Sequence, residues 1–198
     1  MHSEWRCDLD GAVLPLHVPQ HISTEILATV CSRVARSGLP MWCPWPLPAG
    51  WTVTGVGWIG DDRHGVHGTV IACSGPTPLE GGPADLLLVA EDPGIGLATR
   101  LAGLPGPDPG PYLSGELDAV PHAKVRAAGW PTPLWAVKSA ADRCAYVGEA
   151  RGRWICMVAW PAGAGYLFAE DVVLTDLVDT LPGQLVYGAP SPYLHGAA

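Results

Sequence analysis

Apolar residues alternate with polar or glycine residues over 51–59, and a returning strand over 68–73 follows the turn sequence Gly60-Asp61-Asp62-Arg63-His64-Gly65. This period-two pattern around a turn-forming sequence predicts a β-hairpin. Residues 85–90 are mostly apolar, which predicts a central strand covered on both faces. Residues 134–137, 144–149, 153–160 and 166–169 read as further strands. Helical spacing appears at Ile26, Leu27, Val30 and Val34, behind Ser23 or Thr24 as a cap and ahead of Gly38 as a stop. A second helix is expected after Asp92 and Pro93, ending at Gly103. A short Ala-rich helix is expected over 121–128, and the apolar blocks of 172–181 suggest another.

Thr69-Val-Ile-Ala-Cys, a loop, and Leu87-Leu-Val-Ala-Glu-Asp92 parallel Ile155-Cys-Met-Val-Ala-Trp, a loop, and Tyr166-Leu-Phe-Ala-Glu-Asp171. Laid over each other, these halves suggest two copies of a meander plus helix, with Glu91 and Glu170 in equivalent places. The expected fold is therefore α+β: a mainly antiparallel sheet of roughly six to eight strands, built from two related halves, with three or four helices against it.

Composition narrows the class. The 198 residues include 25 glycines and 21 prolines, too many helix breakers for an α-bundle. Length and the lack of a disordered linker fit one domain over 21–198, preceded by a hairpin over 1–20. The net charge of -8, without a basic stripe, argues against nucleic acid. The charged N-terminal stretch and the lack of a long apolar run argue against a leader or a membrane span, so a cytoplasmic protein is expected. The six cysteines contain no C-x-x-C pair, and in a reducing compartment disulfides are not expected.

Residues 40–62 carry four of the nine tryptophans, with Trp42, Trp45 and Trp51 on proline-stiffened extended backbone. Such a slab serves either as core or as a rigid recognition surface. Asp61, Asp62, His64 and His67 put two carboxylates and two imidazoles within seven residues, a density that suits either a divalent metal or a solvated hairpin tip. Glu91 and Asp92 end the apolar strand, with Asp92 placed to cap the next helix. Cys73-Ser74 at a strand end offers a nucleophile if His67 or His122 lies near. His122 and Lys124 could face Asp142, Arg143, Glu149 and Arg151 across a cleft. Cys7, with Asp10, has the look of half a zinc knuckle, and half a knuckle holds no metal tightly.

Trp42-Cys43-Pro44-Trp45-Pro46-Leu47-Pro48, Gly50-Trp51, Gly60-Asp61-Asp62-Arg63, Ala72-Cys73-Ser74-Gly75-Pro76, Pro131-Thr-Pro-Leu-Trp135 and Gly148-Glu-Ala-Arg-Gly152 together resemble a family of uncharacterised actinobacterial proteins. The resemblance covers nearly the whole chain from Trp5 onward and implies no particular reaction. It also implies that some members carry a four-ligand N-terminal zinc ribbon, whose second half matches residues 5–11 with histidine in place of Asp10. Zinc is thus expected only if the chain extends upstream of Met1, and no other cofactor is expected. The leading functional expectation is a non-catalytic binding domain for a protein or small molecule, with a Trp/Pro-rich surface and room for a homodimer. Its binding residues would be Trp42, Trp45, Trp51, Asp61, Asp62, Arg63 and Glu91. The alternative is an enzyme of acyl or phosphoryl chemistry with a Trp-lined acidic pocket near Asp61, Asp62 and Glu91.

Overall fold

The structure is a computed structural model that describes residues 6–7, 11–12, 14–77, 82–113, 120–169 and 171–195, with backbone alone at 6–7, 11–12 and 169. Along the chain come β1 (Arg6–Cys7), β2 (Gly11–Ala12), β3 (Leu16–His17), α1 (Thr24–Val34), β4 (Trp42–Pro44), β5 (Thr52–Asp61), β6 (Gly65–Pro76) and β7 (Pro83–Glu91). They are followed by α2 (Leu97–Ala102), α3 (Gly110–Leu113), β8 (Ala123–Ala127), β9 (Trp130–Val137), β10 (Cys144–Ala150), β11 (Arg153–Trp160) and β12 (Val172–Asp176). Two 3₁₀ segments, Ala35–Ser37 and Ala162–Ala169, complete the described elements.

β1 pairs with β2, and the other ten strands form one sheet in the order β3-β5-β6-β7-β11-β10-β9-β8-β12-β4. Every neighbouring pair in it is antiparallel except β8 with β12. The α+β class stands, with a sheet wider than the six to eight strands expected. β3 joins its edge, pairing Leu16 with Ile59 and His17 with Trp58.

β7 and β11 lie at the centre, and their near-continuous apolar sequences follow from burial on both faces. Leu86, Leu88, Ala90, Ile155, Met157 and Ala159 point to one layer, shared with α1, β4 and the 162–169 segment. Leu87, Val89, Cys156, Val158 and Trp160 point to the other, under α2, α3 and residues 193–194. The sheet curls until β4 lies against β6 and β7. There the Thr69 hydroxyl donates to the Pro40 carbonyl at 2.7 Å.

The first helix forms as expected. The Ser23 hydroxyl accepts the Ile26 N–H at 3.3 Å, and Gly38 ends the following 3₁₀ turn at φ 66°. Gly103 closes α2 in the same way, at φ 74°.

Three expected elements change type. Residues 121–128 supply strand β8: Ala123, Val125 and Ala127 are buried while Lys124 and Arg126 are exposed, a period of two that pairing with β9 stabilises over alanine's helical preference. Residues 166–169 lie in a 3₁₀ turn, because both edges of β11 are already taken by β7 and β10. Residues 172–176 form a strand, since β12 fills the slot between β8 and β4. The proposed duplication fails in that register: 69–73 and 87–92 run strand, strand, helix, whereas 155–160 and 166–171 run strand, 3₁₀ turn, strand. Glu170, matched to Glu91, lies outside the described residues.

Candidate functional site

The tryptophan slab divides between core and surface. Trp42 is 1% exposed and Trp51 5%, so both belong to the core rather than to a recognition face. A Cβ at Gly75 would stand 2.5 Å from Trp51 Cγ, so the indole lies flat on the glycine. Trp45 is half-buried. Over Trp42 lies the Arg151 guanidinium, 5.6 Å from the ring centroid. It reaches the carboxylates of Asp176 and Asp179 at 2.7 Å each. Asp176 is buried and also accepts the N–H groups of Met41 and Val178 at 2.9 and 3.0 Å. This clasp fixes β4 to β12, and a carboxylate inside an expected helix gave no sign of it in the sequence.

The acidic residues gather at the β5–β6 turn and the β7–α2 junction, where each carboxylate has a partner. Asp61 accepts the backbone N–H groups of Arg63 and His64 and meets the His64 ring, whose hydrogen bond is the main cause of its carboxyl being held down at about 2. Asp62 pairs with Arg33 at 2.8 Å. Arg63 is exposed on the same turn. Asp92 is not the helix cap. It meets the His67 ring at 2.8 Å and Arg153 at 2.6 Å. The capping falls to Glu91, fully buried, whose two oxygens accept the N–H groups of Leu97 and Ala98 at 2.7 and 3.2 Å. Burial raises its carboxyl to about 7, against the pull of those two bonds. The Trp-lined acidic pocket is therefore not assembled: Asp61 and Asp62 cap and pair at a turn, while Glu91 is sealed beneath α2.

The other candidate pairings also resolve into structural contacts. Ser74 bonds Thr54 and Asp85, and Cys73 is fully buried, its thiol pushed up by Cys43 beside it and by burial. Asp142 holds Arg143, and Glu149 accepts the Gly152 N–H. Among the described residues no group of three or more His, Cys, Asp or Glu gathers for a metal. Cys7 lies in β1, whose backbone alone is described, and Asp10 lies outside the described residues.

His122 and Lys124, in contrast, do line a cleft. Where β8 begins, the 162–169 turn crosses β8 and β10 and leaves two adjoining hollows of about 260 and 300 Å³. Tyr146 and Tyr166 line the first, Lys124 and Asp171 the second, and His122, Ala123 and Phe168 both. Gly165 permits the crossing, because a Cβ there would stand 2.7 Å from Cys144 Sγ and 3.4 Å from the Tyr146 hydroxyl. Phe168 meets Tyr146 edge to face at 4.9 Å and so fixes the floor.

The polar chemistry follows from backbone pairing. The Ala136 N–H donates to His122 Nδ1 at 3.3 Å, which places the ring's proton on Nε2 in the neutral form. Burial, with Cys144 beside it, raises the Tyr146 phenol and keeps it a donor at neutral pH. Among the described residues, His122 Nε2, the Tyr146 hydroxyl, Lys124 and Asp171 have no hydrogen-bond or ion-pair partner in the protein. Cys144, behind Gly165, has its thiol raised by burial and is a poor nucleophile.

A family model described as a family of unknown function spans residues 1–194. The chain belongs to that family, DUF6758. No curated protein and no solved structure matches it. For this DUF6758 chain the cleft geometry therefore carries the functional argument. The sequence singled out His122 and Lys124 but placed them on a helix. Tyr146, Phe168 and Asp171 were missed because they come from β10, the 3₁₀ turn and the start of β12. The two opposite charges at matching positions of a parallel strand pair were the only signal, and that pairing was hidden.

Proposed function

We propose that the protein is a non-catalytic small-molecule-binding domain whose site is the cleft between β8, β10 and the 162–169 turn. One observation carries this reading: four polar groups without a partner among the described residues line two adjoining hollows that share His122, Ala123 and Phe168. Ligand sites combine an apolar lining with a few convergent polar groups in this way. The hollows lie at or below the low end of the usual size range, which suits a metabolite rather than a large cofactor. Binding without chemistry is favoured because, among the described residues, no nucleophile, base and orienting group are hydrogen-bonded together in the cleft.

The test is a metabolite-fragment screen by amide chemical-shift mapping on the intact chain, repeated on Ala162→Trp, which fills the exposed rim of the first hollow. Hits should shift the amides of Ala123, Tyr146 and Phe168 and should vanish in the variant. Hits that map elsewhere, or that survive A162W, would remove the cleft from consideration.

A further inference from the structure

Lys124 and Asp171 are the two exposed charges of one hollow. β8 and β12 run parallel with Val125 opposite Val172, and Lys124 in β8 and Asp171 just ahead of β12 each lie one residue before that pair. Despite that adjacency they form no ion pair with each other or with any described residue, whereas Asp62, Asp92, Asp142, Asp176 and Asp179 all pair with an arginine.

From this juxtaposition we infer that the occupant is a small zwitterion, of the α-amino-acid class, bearing an aromatic or apolar side group. The inference rests on the cleft being a ligand site and adds what it selects. The Lys124 ammonium and the His122 ring, which line the same hollow as Asp171, suit a carboxylate. The single acceptor, Asp171, suits an ammonium. One fixed positive and one fixed negative charge match a ligand of zero net charge, while a phosphate or dicarboxylate would meet Asp171 and the protein's net charge of -8. The Tyr166 ring, exposed at the rim of the first hollow, offers surface to the side group.

Calorimetric titration of the whole chain with L-phenylalanine, phenethylamine and 3-phenylpropanoate reads the two charges separately. L-Phenylalanine should bind, and each analogue should bind at least about tenfold more weakly. Lys124→Met should erase the preference over phenethylamine, and Asp171→Asn the preference over 3-phenylpropanoate, with the melting temperature preserved in both. An analogue that binds as tightly as L-phenylalanine, and is blocked by A162W, would overturn the zwitterion and leave the cleft standing. Three silent titrations beside A162W-sensitive fragment hits would do the same. Silent titrations with no A162W-sensitive hit at all would overturn both readings. If both charge variants lower the melting temperature and leave the ligand order unchanged, the two residues serve only each other, and the inference falls.

Discussion

Two polar regions of this protein contrast. At the β5–β6 turn and the β7–α2 junction, Asp61, Asp62, Glu91 and Asp92 are each bonded within the protein. At the β8–β10 cleft, polar groups come from distant parts of the chain, and four of them lack partners among the described residues. Charge density marked the first region and unsatisfied bonding capacity marks the second. A bonded carboxylate has already spent its acceptor capacity on the fold, whereas an unpartnered group retains it for a ligand.

That contrast is open to direct attack. The largest effect should come from Glu91→Ala, which orphans two N–H groups of α2 and leaves a void beneath it. It should lower stability by about 2–4 kcal/mol in urea unfolding. A loss within experimental error would mean that the acidic region is not structural. Next comes pH. Native Glu91 holds its proton up to about 7 against an ordinary 4.5, so the folded state binds more protons between those values. Stability should therefore fall as pH rises through that window, at up to about 1.4 kcal/mol per pH unit. Glu91→Gln should flatten this component, and an unchanged pH profile would refute the assignment. Asp92→Asn weakens two partly exposed contacts, with His67 and Arg153, and should cost about 1 kcal/mol. Smallest of all, Lys124→Met and Asp171→Asn should shift the melting temperature by no more than about 2 °C. A larger drop in either would erase the distinction between the two regions.

The hairpin of β5 and β6, the buried strands β7 and β11, and helix α1 were all legible, because each carries its own period and its own turn or cap. β8 and β12 were not. Their sequences fit either period, and what made them strands was an available neighbour, β9 for one and the gap between β8 and β4 for the other. The Trp42 to Trp51 slab was visible as a stiff aromatic block. Its inward turn depended on the sheet curling until β4 reached β6 and β7.

The sequence by itself determined the α+β class, the antiparallel centre of the sheet and the α1 caps, since these follow from local backbone preference and the alternation of apolar residues. Which polar groups are used up in the fold, and which lack partners among the described residues, follows from the packing. Hydrogen-bond satisfaction depends on what packs against each group, and the partners here are as far apart in the chain as Met41 and Asp176. Asp171 and Lys124 became neighbours for the same reason, once β12 slid in parallel beside β8.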